Sequence, residues 1–278
     1  MIATERIVTV KTAVRFGVTV LLFAIFVCCV SGCDGVFPFS KPSEGLEFEI
    51  DRESNTCTLI GLGTCTDEDI VIPDEYNGYP VAAIRTPRVV LGGGVEGVFT
   101  GDHIRSVTLP NSLTSLDSSV FFGCSSLESI RIPAGVVSIG TDSFGNVGSP
   151  FPYCPSLTKI TVDSKNPVYM AKGNCVIERG TGRLVAGCVG SVIPEDGSVR
   201  SIGAGAFEWC VGLTALHIPE SVTDIDDHAV LCCPDLVSIT VDENNPVYKA
   251  ENDRVVERST GRVIVPGSTT NSVPDLKS

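Results

Sequence analysis

Cysteine and histidine are the residue types in this 278-residue chain with the most chemistry in them, and their spacing decides which chemistry that is. Twelve cysteines are present: Cys28 and Cys29 in an apolar leader, Cys33 just after it, and nine more from Cys57 onward. A metal site needs ligands that cluster, often as C-x-x-C pairs, and the sequence contains no such pair. Instead Cys124, Cys154, Cys210 and Cys233 each stand three residues before a leucine. Cysteines that recur once per repeat read as small buried hydrophobes. No metal and no other cofactor is expected. Cys57 and Cys65 lie outside that pattern, and in an exported chain a disulfide between them is one reading. The adjacent pair Cys232 and Cys233 reads as one exposed and one buried thiol rather than a strained bond.

The histidines are His103, His217 and His228. His228 falls among Asp224, Asp226 and Asp227, a set that invites a metal or acid–base reading, but charged turns of a repeat protein are ordinarily solvated. No Gly-x-Ser-x-Gly elbow, Cys–His motif or phosphate-binding loop occurs, and Gly92-Gly93-Gly94 precedes no Lys-Ser pair. The chain therefore reads as a non-enzyme with no small-molecule substrate. The competing enzyme reading needs an active loop such as Arg85 to Gly101, which offers Glu96 but no nucleophile. Net charge is -13, and no run of Lys or Arg follows residue 16. Proteins that grip nucleic acid show a basic stripe, so no nucleic-acid partner is expected.

The elements that position these residues begin with an address. Arg6, Lys11 and Arg15 form a basic segment, and Phe16 to Val30 is an apolar run of fifteen residues. That is short of the about 20 residues a spanning helix needs and right for a signal-peptide core. Residues 1–32 read as a signal peptide and 33–45 as a polar tether, with the folded part at 46–278. Only 19% of residues are charged and 43% are hydrophobic, so disorder is not expected outside the ends.

The folded part is repetitive, and repeats decide architecture. From Ile104 the apolar steps run Val107, Leu109, Leu113, Leu116, Phe121 and Cys124; from Leu127 they run Ile130, Ile132, Val136, Ile139 and Phe144. From Leu213 they run Leu216, Ile218, Val222, Ile225, Val230 and Cys233. The starts Ile104 and Leu127 are 23 residues apart, as are Leu213 and Leu236. An insertion around Gly145 to Tyr153 lengthens the coil between Leu127 and Leu157. Apolar residues at the third and fifth steps alternate with polar ones, the period of a strand. The proline that follows cannot donate to a ladder and ends it. One coil cannot bury its own apolar face, but a stack of coils turns each slot into a continuous column. A longer repeat is superimposed at an offset of 79, from Leu157 and from Leu236, sharing Ile-Thr-Val-Asp, Asn-Pro-Val-Tyr and Thr-Gly-Arg. Thr181-Gly182 and Thr260-Gly261 sit between apolar runs as hairpin turns would.

The pattern Leu-x-x-Ile-x-Ile-Pro followed by Val-x-x-Ile-Gly-x-x-x-Phe-x-x-Cys resembles the BspA-type leucine-rich repeats of bacterial surface proteins, over about residues 46 to 267. The segment from Cys57 to Cys65, through Ile70-Val-Ile-Pro73 to Pro80, resembles the opening of such arrays. Two departures stand out: Arg85 to Gly97 in place of the Gly-x-x-x-Phe segment, and Val230 in place of a phenylalanine. The resemblance implies a leucine-rich-repeat solenoid, β-rich, of about seven stacked coils of roughly 23 residues with inserted β-hairpins. Val30-Ser31-Gly32-Cys33 resembles the bacterial lipobox, which implies cleavage before Cys33 and a lipid on its thiol. The expected protein is then a lipid-anchored module at the cell envelope or surface that binds an extracellular protein or glycan. A structural envelope protein without a ligand is the alternative. The ligand-facing residues are expected on the outward side of the strands: Ser106, Thr108, Ser129, Arg131, Lys159, Thr161, His217 and Thr240, with Ala215 and Ser238 beside them.

Overall fold

Each Leu-x-x-Ile-x-Ile motif forms a short strand whose second and fourth positions are apolar. The computed structural model describes residues 41–85, 97–99, 102–141, 147–226 and 228–266, and every regular element in them is a β-strand. The leader, Cys33 and Phe144 lie outside the described residues. Although coil length varies, with paired strands 37, 30 and 23 residues apart, like slots fall side by side in parallel register. Asp69–Val71 pairs with Ser106–Thr108, Ser129–Ile132 with Lys159–Val162, and Ala215–Ile218 with Ser238–Val241. Strand alternation then sends Val107, Ile130, Ile160, Leu216 and Ile239 inward, and all five are buried, as the sequence register requires.

The Val-x-x-Ile half of each coil builds a second ladder. Ser115–Leu116 lies between Tyr79–Ile84 and Ser138–Ile139, all parallel. Farther along, Arg183–Ala186, Ser201–Ile202 and Asp224–Ile225 continue in the same way. Between the ladders run the ring and thiol columns. Phe99 stacks on Phe121 at 4.8 Å and Phe121 on Phe151 at 5.5 Å between ring centroids. The thiols of Cys124, Cys154 and Cys233 donate to the carbonyls of Phe99, Phe121 and Phe207, one coil back, at 2.6, 3.0 and 2.9 Å.

Two expectations change here. Phe99 fills the aromatic slot, so the segment from Arg85 to Gly97 lengthens its coil without removing the phenylalanine. The place between Phe121 and Phe207 belongs to Phe151, three residues before Cys154. Phe151 and Cys154 keep the Phe-x-x-Cys spacing, so the insertion precedes that turn.

The longer repeat forms two three-stranded meanders. Tyr169–Lys172, Cys175–Glu178 and Arg183–Ala186 make one, and Tyr248–Glu251, Arg254–Glu257 and Val263–Val265 the other. The expected hairpins at Thr181-Gly182 and Thr260-Gly261 are present, each with one further strand before it. Gly182 and Gly261 take φ of 73° and 72°, the left-handed conformation such a turn needs and glycine adopts freely.

One buried asparagine ties each meander to an earlier coil. Asn166 donates from Nδ2 to the carbonyls of Pro133 and Val136, both at 2.9 Å, and its Oδ1 accepts from the N–H groups of Val168 and Tyr169. Asn245 does the same with Pro219, Val222, Val247 and Tyr248. All four hydrogen-bonding sites of each amide are thus used, which is what allows a polar side chain to be fully buried. Arg179 and Arg258 close each turn by donating from Nε to two backbone carbonyls.

Cys57 and Cys65 are both buried and both free thiols, so the disulfide considered from sequence is not formed in this structure. Cys57 lies on Thr56–Gly61 with its thiol toward the Tyr79 carbonyl at 3.4 Å, whereas Cys65 sits in the turn after that strand.

Candidate binding surface

The outward positions of the first ladder lie where the alternation predicts. Thr108, Ser129, Arg131, Lys159 and Thr240 are exposed, and Ser106, Thr161 and His217 are half-buried. Side chains on neighbouring strands pair across the ladder. Ser106 donates to Asp69 at 2.6 Å, and Nδ1 of His217 shares a hydrogen bond with the Thr240 hydroxyl at 2.9 Å. Arg131 reaches Asp163 at 2.6 Å, and Thr161 donates to the Ile130 carbonyl at 3.4 Å. The result is a shallow polar surface with short side chains.

The surface is not one uninterrupted sheet. Between Lys159–Val162 and Ala215–Ile218 the chain makes the first meander and then an irregular coil through Ser191 and Ile193, with no ladder strand. The expected residues therefore fall into two groups. Ser106, Thr108, Ser129, Arg131, Lys159 and Thr161 are on one side of the gap, with His217 and Thr240 on the other.

The remaining candidates are placed as follows. His228 lies 3.9 Å from Asp226, and its N–H donates to the same carboxylate, a turn contact. His103 borders an open polar depression of about 340 Å³ with Glu68, Asp102 and Arg105. Among the described residues, no group of three or more His, Cys, Asp or Glu side chains could hold a metal ion. The column thiols are buried, and burial pushes the Cys210 and Cys233 thiols up, to about 12 for Cys233. Cys175 is likewise raised to about 12, chiefly by burial. Thiols held protonated are poor nucleophiles and poor ligands.

Sequence reading passed over one feature of the turns. The residue just before each column cysteine is Gly123, Tyr153, Trp209 or Cys232, and all four have positive φ. Tyr153 packs against Phe122 at 5.8 Å and against Trp209 at 5.7 Å, making a row of three rings along the stack. The available signal was an aromatic side chain in a repeat slot that glycine also fills.

Comparison with known proteins bears on the repeats. Residues 95–167 and 190–251 match the family described as BspA type leucine rich repeat region, in six copies. No curated protein matches the chain. Similar solved structures include a leucine rich cell surface protein from Faecalibacterium prausnitzii, 20% identical, covering 73% of this chain and 76% of that one at a TM-score of 0.38. A leucine-rich repeat protein from Eubacterium ventriosum is 18% identical at a TM-score of 0.40, with 67% of this chain and 47% of that one covered. The T. pallidum leucine rich repeat protein is 18% identical, covering 73% and 83% at a TM-score of 0.36.

Proposed function

This chain is built on BspA-type leucine-rich repeats, and we propose that it is an exported, lipid-anchored surface protein that binds an extracellular protein or glycan through its repeat surface. The observation that carries the reading is the outward side of the first ladder. Its inward partners are columns of aliphatic side chains, and its outward positions are short polar or basic groups in an otherwise acidic protein. A low, rigid, polar face of that kind suits an extended ligand, whereas small molecules are taken in concave apolar pockets. Rigidity also lowers the ordering cost of binding. Among the described residues no helix is long and apolar enough to cross a membrane. Attachment then falls to the leader and Cys33, through acyl chains that each contribute about 0.8 kcal/mol per buried methylene.

Two measurements test this. Detergent-solubilised full chain, probed on arrays of matrix proteins and glycans, is expected to bind a subset, with Arg131→Ala and Lys159→Ala weakening the interaction. Uniform silence across the arrays would leave a structural envelope protein. In a bacterial host fed labelled palmitate, the wild-type chain is expected to take up label and partition with detergent, and Cys33→Ser to do neither. An unlabelled wild-type chain in the aqueous phase would remove the anchor from the proposal.

A further inference from the structure

The aromatic row in the turns is the feature that the ladder reading leaves unused. Three observations bear on it. First, Tyr153 and Trp209 hold φ of 62° and 52°, where glycine sits without strain and a bulky residue does not. Gly123, at 76°, shows that glycine satisfies the same turn one coil earlier. Backbone strain of this kind clusters at functional sites, and Tyr153 is exposed between the half-buried Phe122 and Trp209. Second, the row is fixed in place. The N–H of Tyr153 donates to the Trp209 carbonyl and that of Trp209 to the Leu231 carbonyl, both at 2.9 Å, so each ring is carried by a backbone bond to the next coil.

Third, the turns beside the row carry no basic residue. After the column cysteines come Ser125-Ser126, Pro155-Ser156 and Val211-Gly212. The two carboxylates in these turns, Glu208 and Asp235, are turned onto the backbone. Glu208 lies over Gly148 and Gly205, and Asp235 accepts the Gly212 N–H at 2.8 Å. A polyanion would be repelled by a chain of net charge -13. A cationic peptide would need carboxylates turned toward the row. What remains is an uncharged, elongated partner with apolar faces and hydroxyl edges.

We propose that Phe122, Tyr153 and Trp209 form a stacking platform for a neutral glycan chain. Pyranose rings lie along the aromatic row, while the indole N–H and the phenol hydroxyl bond sugar hydroxyls. Tyr and Trp supply such area at low entropic cost, since each has only two rotatable side-chain bonds. The proposal rests on the binding-protein reading above and gives it a second surface and a ligand class.

Trp209 is the single tryptophan of the chain, so its fluorescence reports on the row directly. The experiment titrates detergent-solubilised full chain with soluble β-1,4-glucan, mannan and xylan, and with hyaluronan and polylysine as charged counterparts. Affinity electrophoresis serves the variants. At least one neutral polysaccharide is expected to shift the emission saturably. Tyr153→Gly is expected to weaken that binding by roughly tenfold or more with an unchanged or higher melting temperature, because glycine relieves the strained φ. Tyr153→Phe, which keeps the ring, is expected to bind close to wild type. Wild-type affinity in Tyr153→Gly would overturn the proposal, as would a lowered melting temperature, which would make the ring a packing element. Response to hyaluronan or polylysine alone would overturn the neutral-glycan assignment. Array ligands lost only on Arg131→Ala or Lys159→Ala would sink the platform and leave the binding-protein reading standing.

Discussion

The two meanders share a sequence pattern, the same asparagine anchor and the same arginine clasp, yet they have different neighbours. In the first copy, Cys175, Val176, Ile177, Leu184 and Ala186 are all fully buried. Alternation along Cys175–Glu178, with a register shift against Arg183–Ala186, splits them between two apolar clusters. Val176 and Ala186 face the core that precedes them, and Cys175, Ile177 and Leu184 the core that follows. The first meander is a layer covered on both sides. In the second copy Val255 and Val265 are buried, but Arg254, the counterpart of Cys175, is exposed, and Val263, the counterpart of Leu184, is 43% exposed. One face of that copy meets water. Gly187 belongs to the same contrast: Phe207 packs so close that a Cβ there would lie 2.2 Å from its ring, and the equivalent residue is Pro266. A few side chains decide whether one backbone pattern is apolar on both faces or carries a more polar face.

Exchange of matched residues tests this contrast most severely. Cys175→Arg places a charge where both faces are covered, and the expected loss is about 4–5 kcal/mol or more in urea unfolding. Arg254→Cys, its mirror, is expected to change stability by no more than about 0.5 kcal/mol. Similar costs for the two would remove the distinction. Truncation sharpens it. Leu184→Ala is expected to cost about 2–5 kcal/mol, and Val263→Ala under about 1 kcal/mol because half of that side chain already meets solvent.

The asparagines should behave alike, since their bonds are alike and both are buried. Asn166→Ala and Asn245→Ala are each expected to cost about 3 kcal/mol by stranding buried backbone groups. Hydrogen exchange should then separate them. Loss at Asn166 disturbs amides on both sides of the layer, and loss at Asn245 only those before it. A smaller effect than at the asparagines is expected at Tyr248. The Tyr248 hydroxyl accepts the Ile225 N–H at 3.1 Å. Tyr248→Phe is expected to cost about 1 kcal/mol, and a neutral result would show that water replaces the hydroxyl.

Much of this was legible in the sequence. The 23-residue spacing and the alternation within Leu-x-x-Ile-x-Ile located the first ladder and its buried side, because identical slots in stacked coils must meet. The Thr-Gly pairs located the hairpins. What escaped depended on partners distant in sequence or on backbone sign. Asn166 could be seen to repeat at Asn245, but its acceptors, Pro133 and Val136, are about thirty residues earlier, on a different coil. Phe151 was hidden by the insertion that shifts the spacing. The break in the outward ladder follows from the irregular coil after the first meander, which has no strand signature to read. The positive φ at Tyr153 and Trp209 has no compositional mark, because the residues that normally announce it are glycine and asparagine.

The thiol column sets a race between folding and oxidation. In the folded chain Cys124, Cys154, Cys210 and Cys233 are all buried away from solvent, and burial holds the Cys210 and Cys233 thiols protonated. In the unfolded chain each is an ordinary thiol, and under the export proposed above the polypeptide would meet disulfide-forming catalysts before its coils had stacked. A single cross-link between two of these cysteines at that stage would hold the wrong coils together. Coil closure must therefore outrun sulfur chemistry, and a chain of local, nearest-neighbour contacts is well suited to do so, because it can zip from any starting coil.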